Sequence, residues 1–523
     1  MTMADNSSHL QCNMRINSVR PLDDCQTDWR RQGEASLVAF FRPYCYVGIR
    51  GDGGSMKKSQ FLPVASIFFL SLFMASACRQ SENESEPDGQ GNGYPADFAF
   101  VEVPQPLSGD NPRCVEASLP LPAAGVPFKD SCFSTYVTRV TEIDGIQGRH
   151  EYSRFDPFNS DKTLVLLLLS TGDYAVYRTA SFPFNQAGNL VCRTDGIEDP
   201  RWDNDDPSLL WGLSEFRIVR DKVTSGERTV IKDFAADPAI APILASEPDL
   251  YRITMLQEGE ASADRRYWAF VLQGTRDDYR PRHIFCWDRT NDQVLGIYGI
   301  KNAESVIDWV GMSWNGNWVL IGGLAENGGR LKGMTIANRA LSRFQRIDYT
   351  TAHADVGLDA QGRDVLVMQN SRTDYVDLMP LSWDTRPILE AGGGYAGTGH
   401  VPLLRLYYDS ESPLGLNSGV HISCNTPGYC LVSTNIAKDA AERNWLDRSN
   451  VLVRLDAAKP RVFLLSKIYN TTQEYFEETH ATMNRDGSRI VWAANWNRDV
   501  GQEKMFLLQL RMPANWKKLT GGE

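Results

Sequence analysis

Short apolar stretches alternate with polar turns along most of the chain. From about residue 136 to 513, seven segments repeat one plan: a polar residue, a short strand, a turn, a stronger apolar strand and, in most units, a third strand. The turns "AQG", "WNG" and "RDG" supply the residues that β-hairpins require. The segments start at His150, Arg201, Glu260, Asp308, His353, His421 and His480.

Third strands in most units complete the repeat. They cover residues 173–178, 215–221, 283–289, 333–339, 450–456 and 505–511. Short strands, dense turns and a repeated unit predict an all-β fold, a β-propeller with seven blades of four-stranded antiparallel sheet over residues 136–513. Six or eight blades, or an all-β sandwich or solenoid, are the alternatives.

The N-terminal region follows a different pattern. Residues 56–78, "MKKSQFLPVASIFFLSLFMASAC", have the charged, apolar and small-residue order of a secretory signal. The ending "ASAC" resembles a bacterial lipobox, which implies removal of residues 56–77 and lipidation of Cys78. An ordinary signal or a membrane anchor is the alternative, although the apolar run is short for a spanning helix, which needs about 20 residues.

These boundaries predict the remaining organisation. Because a signal belongs at the start of a protein, residues 1–55 are predicted to be a non-genuine extension. Residues 78–97 read as a flexible tether, 98–135 as an N-terminal segment that packs on the propeller, and 514–523 as a C-terminal tail. The expected protein is a monomer, lipid-anchored in the bacterial cell envelope, in the periplasm or at the outer-membrane surface.

Export would allow the cysteines to oxidise. Cys424 and Cys430 flank the turn signal "NTPGY", which predicts a disulfide across a hairpin. Cys114 and Cys132 are a second candidate pair.

Composition and charge exclude some partners and cofactors. The chain has 523 residues, 42 % of them apolar and 10 % aromatic, as in a globular protein. A net charge of −11 gives no basic footprint for nucleic acid. The stretch "GGGYAG" at 392–397 lacks the strand-to-helix context of a dinucleotide site, so no nucleotide cofactor is expected.

Histidines recur at the starts of the repeated segments. In a propeller the innermost strands line a central channel, so His353, His421 and His480 from consecutive blades are expected at one mouth. Neutral imidazoles bind zinc, manganese or iron(II), and Asp308 could be a fourth ligand. Calcium is a further possible metal. Alternatively, these histidines only form hydrogen bonds between blades.

A second set of candidates suits carbohydrate chemistry. In "RHEYSR", His150, Tyr152 and Arg154 share one face of a strand. β-Elimination of a uronate requires a cation at the carboxylate, a base for the C5 proton and an acid for the leaving oxygen. Further candidates of the same residue types are Arg201, Arg265 and Tyr267. Alternatively, the tyrosine is a core residue and the arginines lie on solvated edges.

The repeat resembles that of TolB-type propellers, whose blades carry a hydrophobic-S-x-D-G-x-x-hydrophobic core. Residues 480–493 match it best, and the resemblance covers residues 136–513. Oligogalacturonate lyase and certain ulvan lyases are similar propellers, and the former implies a His-rich metal site near the axis.

The resemblance implies a lyase that cleaves acidic, uronate-containing polysaccharide by β-elimination. One feature departs from it, because "STGDYAVY" supplies no second histidine where ulvan lyases have one. A non-catalytic propeller that binds an envelope glycan or protein, and a metal-dependent hydrolase, are the alternatives.

Overall fold

The computed structural model describes residues 97–523, except for 143–148, 170, 276–278, 325–326, 408–418, 437, 439, 474, 499–503 and 523. The predicted extension, the signal peptide, Cys78 and nearly all of the tether therefore lie outside the described residues. Within the described part of the chain, no helix is long and apolar enough to cross a membrane.

In the described residues, twenty-nine strands form seven antiparallel sheets, the blades of a propeller. Three short strands come first: β1 (Val101–Glu102), β2 (Pro127–Lys129) and β3 (Tyr136–Arg139). Blade 1 contains β4 (Leu164–Leu168), β5 (Tyr174–Arg178) and β6 (Leu190–Thr194). Isolated bridges from Arg149 to Leu168 and from Phe158 to Val165 take the place of its regular inner strand.

Blades 2 to 5 each have four strands in chain order. Blade 2 contains β7 (Glu198–Trp202), β8 (Leu209–Ser214), β9 (Arg217–Lys222) and β10 (Glu227–Asp233). Blade 3 contains β11 (Arg252–Thr254), β12 (Tyr267–Gln273), β13 (Pro281–Asp288) and β14 (Gln293–Gly299). Blade 4 contains β15 (Ile307–Met312), β16 (Val319–Gly323), β17 (Gly333–Ala337) and β18 (Phe344–Arg346). Blade 5 contains β19 (Ala354–Leu358), β20 (Asp364–Asn370), β21 (Tyr375–Pro380) and β22 (Val401–Arg405).

The last two blades also take up strands from the N-terminal segment. Blade 6 contains β23 (Gly419–Ser423), β24 (Tyr429–Asn435), β25 (Ser449–Arg454) and β26 (Arg461–Lys467), with β1 added at its outer edge. Blade 7 contains β27 (Thr482–Met483), β28 (Arg489–Ala494) and β29 (Phe506–Arg511), followed by β3 and β2. Strands from both ends of the described chain therefore share one sheet.

Helices are few and short. They are α1 (Ala241–Ser246), α2 (Trp516–Leu519) and the 3₁₀ turns Ala187–Asn189, Phe234–Ala236, Asn302–Glu304, Gly329–Leu331 and Tyr475–Glu477. The predicted all-β class is confirmed.

The hydrophobic core is divided among the interfaces between neighbouring blades. Seven apolar clusters lie in the described residues, and each joins one pair of adjacent blades. One of them joins Val165 of blade 1 to Val491 of blade 7, which closes the ring. The number of interfaces therefore confirms seven blades over six or eight. The fully buried strands carry apolar side chains on both faces because each sheet packs between two others.

The structure pairs the cysteines of the second candidate pair. The disulfide joins Cys114 to Cys132, whereas Cys424 and Cys430 are free thiols with their sulfur atoms 2.7 Å apart. Burial raises the pKa of both blade 6 thiols. That disfavours the thiolate, which is the form that makes disulfides.

Candidate functional site

Three of the predicted histidines meet at the mouth of the channel where the inner strands begin. His421 lies within β23, His353 directly precedes β19, and His480 lies two residues before β27. The ring centroids of His421 and His480 are 3.9 Å apart, and those of His353 and His421 are 4.5 Å apart. The three side chains that alignment of the repeated segments selected therefore lie close together in the structure.

Glu478 completes a set of metal-ligating groups that the sequence analysis did not include. One ligand atom from each of His421, Glu478 and His480 lies within 4.8 Å of the other two. Glu478 Oε2 is 2.5 Å from His421 Nε2 and 3.7 Å from His480 Nε2. The sequence signal for this residue is its position two before a predicted ligand, in "EETH".

The local backbone explains how two ligands come from one short segment. The segment leaves the 3₁₀ turn Tyr475–Glu477 and enters β27 through His480, whose φ is +46°. A non-glycine residue in the left-handed region is uncommon and is often found at functional sites. Here this bend lets Glu478 and His480 approach the imidazole of blade 6.

The electrostatics favour neutral imidazoles. Burial lowers the pKa of His353 and His421 to about 3, and it lowers the pKa of His480 well below its usual value. Neighbouring charges, mainly those of His421 and Arg149, add to the effect on His480. Burial raises the pKa of Glu478 to about 7. Neutral imidazole is the form that binds metals.

Unsatisfied nitrogen atoms support a ligand at this place. Among the described residues, both ring nitrogens of His480 and Nδ1 of His421 are buried and have no hydrogen-bond partner. Buried polar groups nearly always have partners, so such atoms need an explanation. Two imidazoles and a carboxylate are a common donor set for zinc and other transition metals. The residues present therefore fit a divalent metal ion.

Asp308 does not join this cluster in the described contacts. Burial raises its pKa, the charge of Glu258 raises it further, and Arg154 opposes both effects. The pKa of Glu258 is also raised by burial. Asp308 thus lies close enough to Glu258 for the charge of the glutamate to raise its pKa, and Glu478 occupies the ligand position predicted for Asp308.

Tyr152 is a buried residue among the histidines. Its hydroxyl is 3.1 Å from His353 Nδ1, and its ring makes edge contacts with His421 and His480 at centroid distances of 5.4 and 5.0 Å. His150 is also buried, and neither of its ring nitrogens has a hydrogen-bond partner within the part of the chain described.

The three candidate arginines are each engaged by a carboxylate. Arg154 forms an ion pair of 2.8 Å with Glu258 Oε2, and its guanidinium lies 4.4 Å from the ring centroid of Trp309. Arg201 contacts Glu151 Oε2 at 2.9 Å. The same arginines also donate hydrogen bonds to main-chain oxygens. The acceptors are Glu258 O for Arg154, Pro200 O and Gln257 O for Arg201, and Trp202 O for Arg265.

Arg265 and Tyr267 lie apart from the histidines. Arg265 is 3.4 Å from Glu260 Oε1, at the end of the channel where the inner strands finish. Glu260 follows β11 by six residues, so it does not occupy the strand-start position that the repeat assigned to it. Tyr267 packs under the guanidinium of Arg339, 4.1 Å from its ring centroid, and beside the turn at Gly316.

A small cavity lies beside the ion pair between Arg154 and Glu258. It has a volume of about 30 Å³, enough for a water molecule or two. Its lining includes Arg154, Glu258, Glu260, Asp355, Trp314 and Arg485. The cavity is therefore lined in part by charged side chains, among them both members of the ion pair.

Comparison with known proteins gives a likeness of fold. No protein-family model and no curated protein matches the chain. Similar solved structures include an oligogalacturonate lyase in complex with manganese, with 10 % identity, coverage of 75 % of this chain and 96 % of that chain, and a TM-score of 0.47. An oligogalacturonate lyase from Vibrio parahaemolyticus has 12 % identity, coverage of 75 % and 97 %, and a TM-score of 0.47. A chain of a mitotic checkpoint complex has 13 % identity, coverage of 77 % and 99 %, and a TM-score of 0.40.

Two oligogalacturonate lyases are thus among the solved structures to which this chain is similar. The TolB-type motif stays a prediction. Because the identities are low, function has to be inferred from the residues of the site itself.

Proposed function

We propose that the protein binds a divalent metal ion at the histidine mouth of its channel and uses it to cleave uronate-containing polysaccharide by β-elimination. The observation that carries the proposal is the cluster of His421, Glu478 and His480, with ligand atoms within 4.8 Å of one another and unsatisfied imidazole nitrogens. His353, 4.5 Å from His421 by ring centroids, would be a fourth ligand.

The donor set narrows the choice of metal. Calcium prefers six to eight oxygen ligands, whereas this site offers imidazole nitrogens and one carboxylate. Zinc and manganese, two of the other metals predicted from the sequence, both accept such ligands. We therefore expect zinc or manganese in the site, and calcium to bind weakly.

The chemistry needs a cation, a base and an acid. The bound metal would neutralise the uronate carboxylate and so acidify the C5 proton. The neighbouring acids Glu258 and Asp308 would then move protons: one carboxylate takes the C5 proton, and one carboxyl gives a proton to the O4 leaving group. The C5–H and C4–O4 bonds break and a C4=C5 double bond forms. The raised pKa of each acid supports this role.

Metal analysis of the purified protein tests the site. The wild type should retain close to one zinc or manganese ion per chain, and His421→Ala, Glu478→Ala and His480→Ala should each lose it. His283→Ala is a matched control, because His283 also contacts a glutamate, Glu247, at 2.6 Å, but outside the channel. Equal metal content in all five proteins would contradict the proposal.

Ultraviolet absorbance of the unsaturated product tests the reaction. Polysaccharides that contain uronates should give this product with the wild type, and chelation should stop its formation. Asp308→Asn and Glu258→Gln should keep the metal and lose most activity. A protein that binds metal but is silent on a broad panel of substrates would contradict the lyase function and leave the metal site standing.

A non-catalytic glycan-binding propeller is the second candidate. The ion pairs of Arg154, Arg201 and Arg265 favour it, because each arginine already has a carboxylate partner within the protein. None of the three is therefore reserved for the carboxylate of a substrate. Retention on immobilised acidic glycan without product formation would support it over the lyase. A metal-dependent hydrolase would instead release products that lack the unsaturated bond.

The place of action is also a proposal. A lipid on Cys78 would hold the propeller at the cell envelope, where acidic polysaccharides are accessible. Incorporation of a labelled fatty acid into the wild type but not into Cys78→Ser would support it, and equal labelling of both would contradict it.

A further inference from the structure

We infer that Tyr152 is a positioning residue that fixes the histidines of the candidate metal site, a role different from the catalytic one predicted from the sequence. The inference rests on the proposed metal binding. It goes beyond metal binding itself, because one side chain of blade 1 would position ligands that come from three other blades.

The contacts of Tyr152 support this role. Tyr152 belongs to the irregular inner segment of blade 1, between the bridges at Arg149 and Phe158. From there it reaches His353 through its hydroxyl, at 3.1 Å, and His421 and His480 through its ring. These three histidines come from blades 5, 6 and 7.

Burial separates Tyr152 from the substrate side of the mouth. Only 8 % of the residue is exposed, whereas His353 and Glu478 are partly exposed. A residue that acts directly on a polysaccharide has to reach it, and Tyr152 lies beneath the groups that could. Edge contacts between aromatic rings constrain orientation as well as distance. The two ring contacts would therefore hold the imidazole planes of His421 and His480.

The hydroxyl would also decide which nitrogen of His353 is available. When Nδ1–H donates to the tyrosine oxygen, the lone pair of Nε2 is free for a metal. When the hydroxyl donates to Nδ1 instead, Nε2 carries the proton of the neutral ring and cannot bind a metal. Metal-bound histidines usually donate their other N–H to such an outer partner, and loss of that partner typically weakens metal binding 10- to 100-fold. Tyr152 fits this outer position.

Cobalt(II) titration of the metal-free full-length protein tests the inference, because cobalt reports affinity and ligand geometry through its visible spectrum. Tyr152→Phe keeps the ring contacts and removes only the hydroxyl. We expect about 10-fold weaker binding, a changed cobalt spectrum and an almost unchanged melting temperature without metal. Tyr298→Phe is the matched control, since its hydroxyl donates to Glu304 at 2.7 Å on the outer strand of blade 3. It should bind cobalt like the wild type.

The outcomes separate this inference from the proposed function. Equal cobalt affinity and spectrum in the wild type and Tyr152→Phe would overturn the positioning role alone. No cobalt binding by the wild type would overturn the metal site and the positioning role together. A measurement without a variant is also available: nitrogen-15 NMR of the zinc-loaded wild type should show the proton of His353 on Nδ1. A proton on Nε2 would overturn the inference even if Tyr152→Phe did not fold.

Discussion

Buried imidazoles with unsatisfied nitrogens are the feature at the residue scale that most needs an explanation. Burying a polar group without a partner costs stability, so proteins keep such groups where they have a use. His480 combines two unpartnered ring nitrogens, within the described contacts, with a positive φ. Both features belong to the residue that would share a metal with His421. These features therefore favour a metal site over histidines that only form hydrogen bonds between blades.

Replacement of Glu478 by glutamine is the residue-scale prediction. Glu478→Gln keeps the size of the side chain and an oxygen near His421 Nε2, but removes the negative charge. We expect at least about 10-fold weaker binding of zinc, measured by calorimetry with a competing chelator. Glu247→Gln makes the same change in the pair with His283 outside the channel and should leave zinc affinity unchanged. Similar affinity in both variants would rule out Glu478 as a ligand.

At the element scale, equivalent hairpin turns in blades 5 and 7 have different surroundings. Gly487 and Gly362 close the turns before β28 and β20, with φ values of +74° and +75°. A Cβ on Gly487 would lie 2.2 Å from Cζ2 of Trp516 in α2, whereas Gly362 has open space around it. Both positions are glycine because their turns require a positive φ. At Gly487, the packing of α2 against the turn is a second reason.

Alanine substitutions at the two glycines should separate these constraints. Gly362→Ala should lower the free energy of unfolding by about 1 kcal/mol, the cost of a left-handed alanine. Gly487→Ala should cost about 2 kcal/mol more, because the methyl group displaces the indole. Urea denaturation measures both. Equal losses would show that α2 moves aside without cost.

The turn of blade 7 also makes a charged contact with blade 1. Lys162 Nζ is 2.8 Å from Asp486 Oδ2. Burial opposes ionisation of Asp486, but hydrogen bonds from Lys162 and Ser488 outweigh it and lower its pKa to about 2 from an ordinary 3.8. A lowered pKa in the folded state means that the charged form favours folding.

The expected pH dependence of stability follows from the lowered pKa of Asp486. The stabilisation by Asp486 is fully present above pH 3.8 and is lost as the pH falls through about 2. Asp486→Asn should therefore lose less stability than the wild type between these two pH values, as measured by denaturation at each pH. Lys162→Met should flatten the same part of the curve. An unchanged slope in both variants would show that the pair contributes nothing.

The strand pattern predicts blades better than it predicts the site. Third strands such as 505–511 and 333–339 agree with β29 and β17 because apolar alternation and turn residues are local signals. His353, His421 and His480 follow from alignment of the strand starts. Glu478 does not, because it lies on an irregular turn outside the repeat, and Glu260 is misplaced because β11 ends six residues before it. Contacts made by irregular segments depend on the packed ring, which the repeat does not encode.

Closure of the ring is a property of the whole molecule. β3 and β2 complete the sheet begun by β27, β28 and β29, and β1 adds to blade 6. The segment between β1 and β3 is held by the disulfide from Cys114 to Cys132 and by Glu116, which is 3.0 Å from Arg448. Because the N-terminal segment adds strands to both blade 6 and blade 7, its attachment bears on the stability of the ring as a whole.

Removal of the disulfide tests how much this attachment contributes. The bridge closes a loop with a sequence separation of 18 residues, for which chain entropy predicts about 3 kcal/mol of stabilisation. Cys132→Ser should lower the free energy of unfolding by about that amount, and a reducing agent should lower it equally in the wild type. Cys192→Ser is the control, since this partly exposed thiol forms no disulfide. If unfolding begins where the N-terminal segment adds to blades 6 and 7, the Cys132→Ser protein should also show faster hydrogen exchange in β3 than in β20. Uniformly faster exchange in both strands would instead indicate that the ring opens as one cooperative unit.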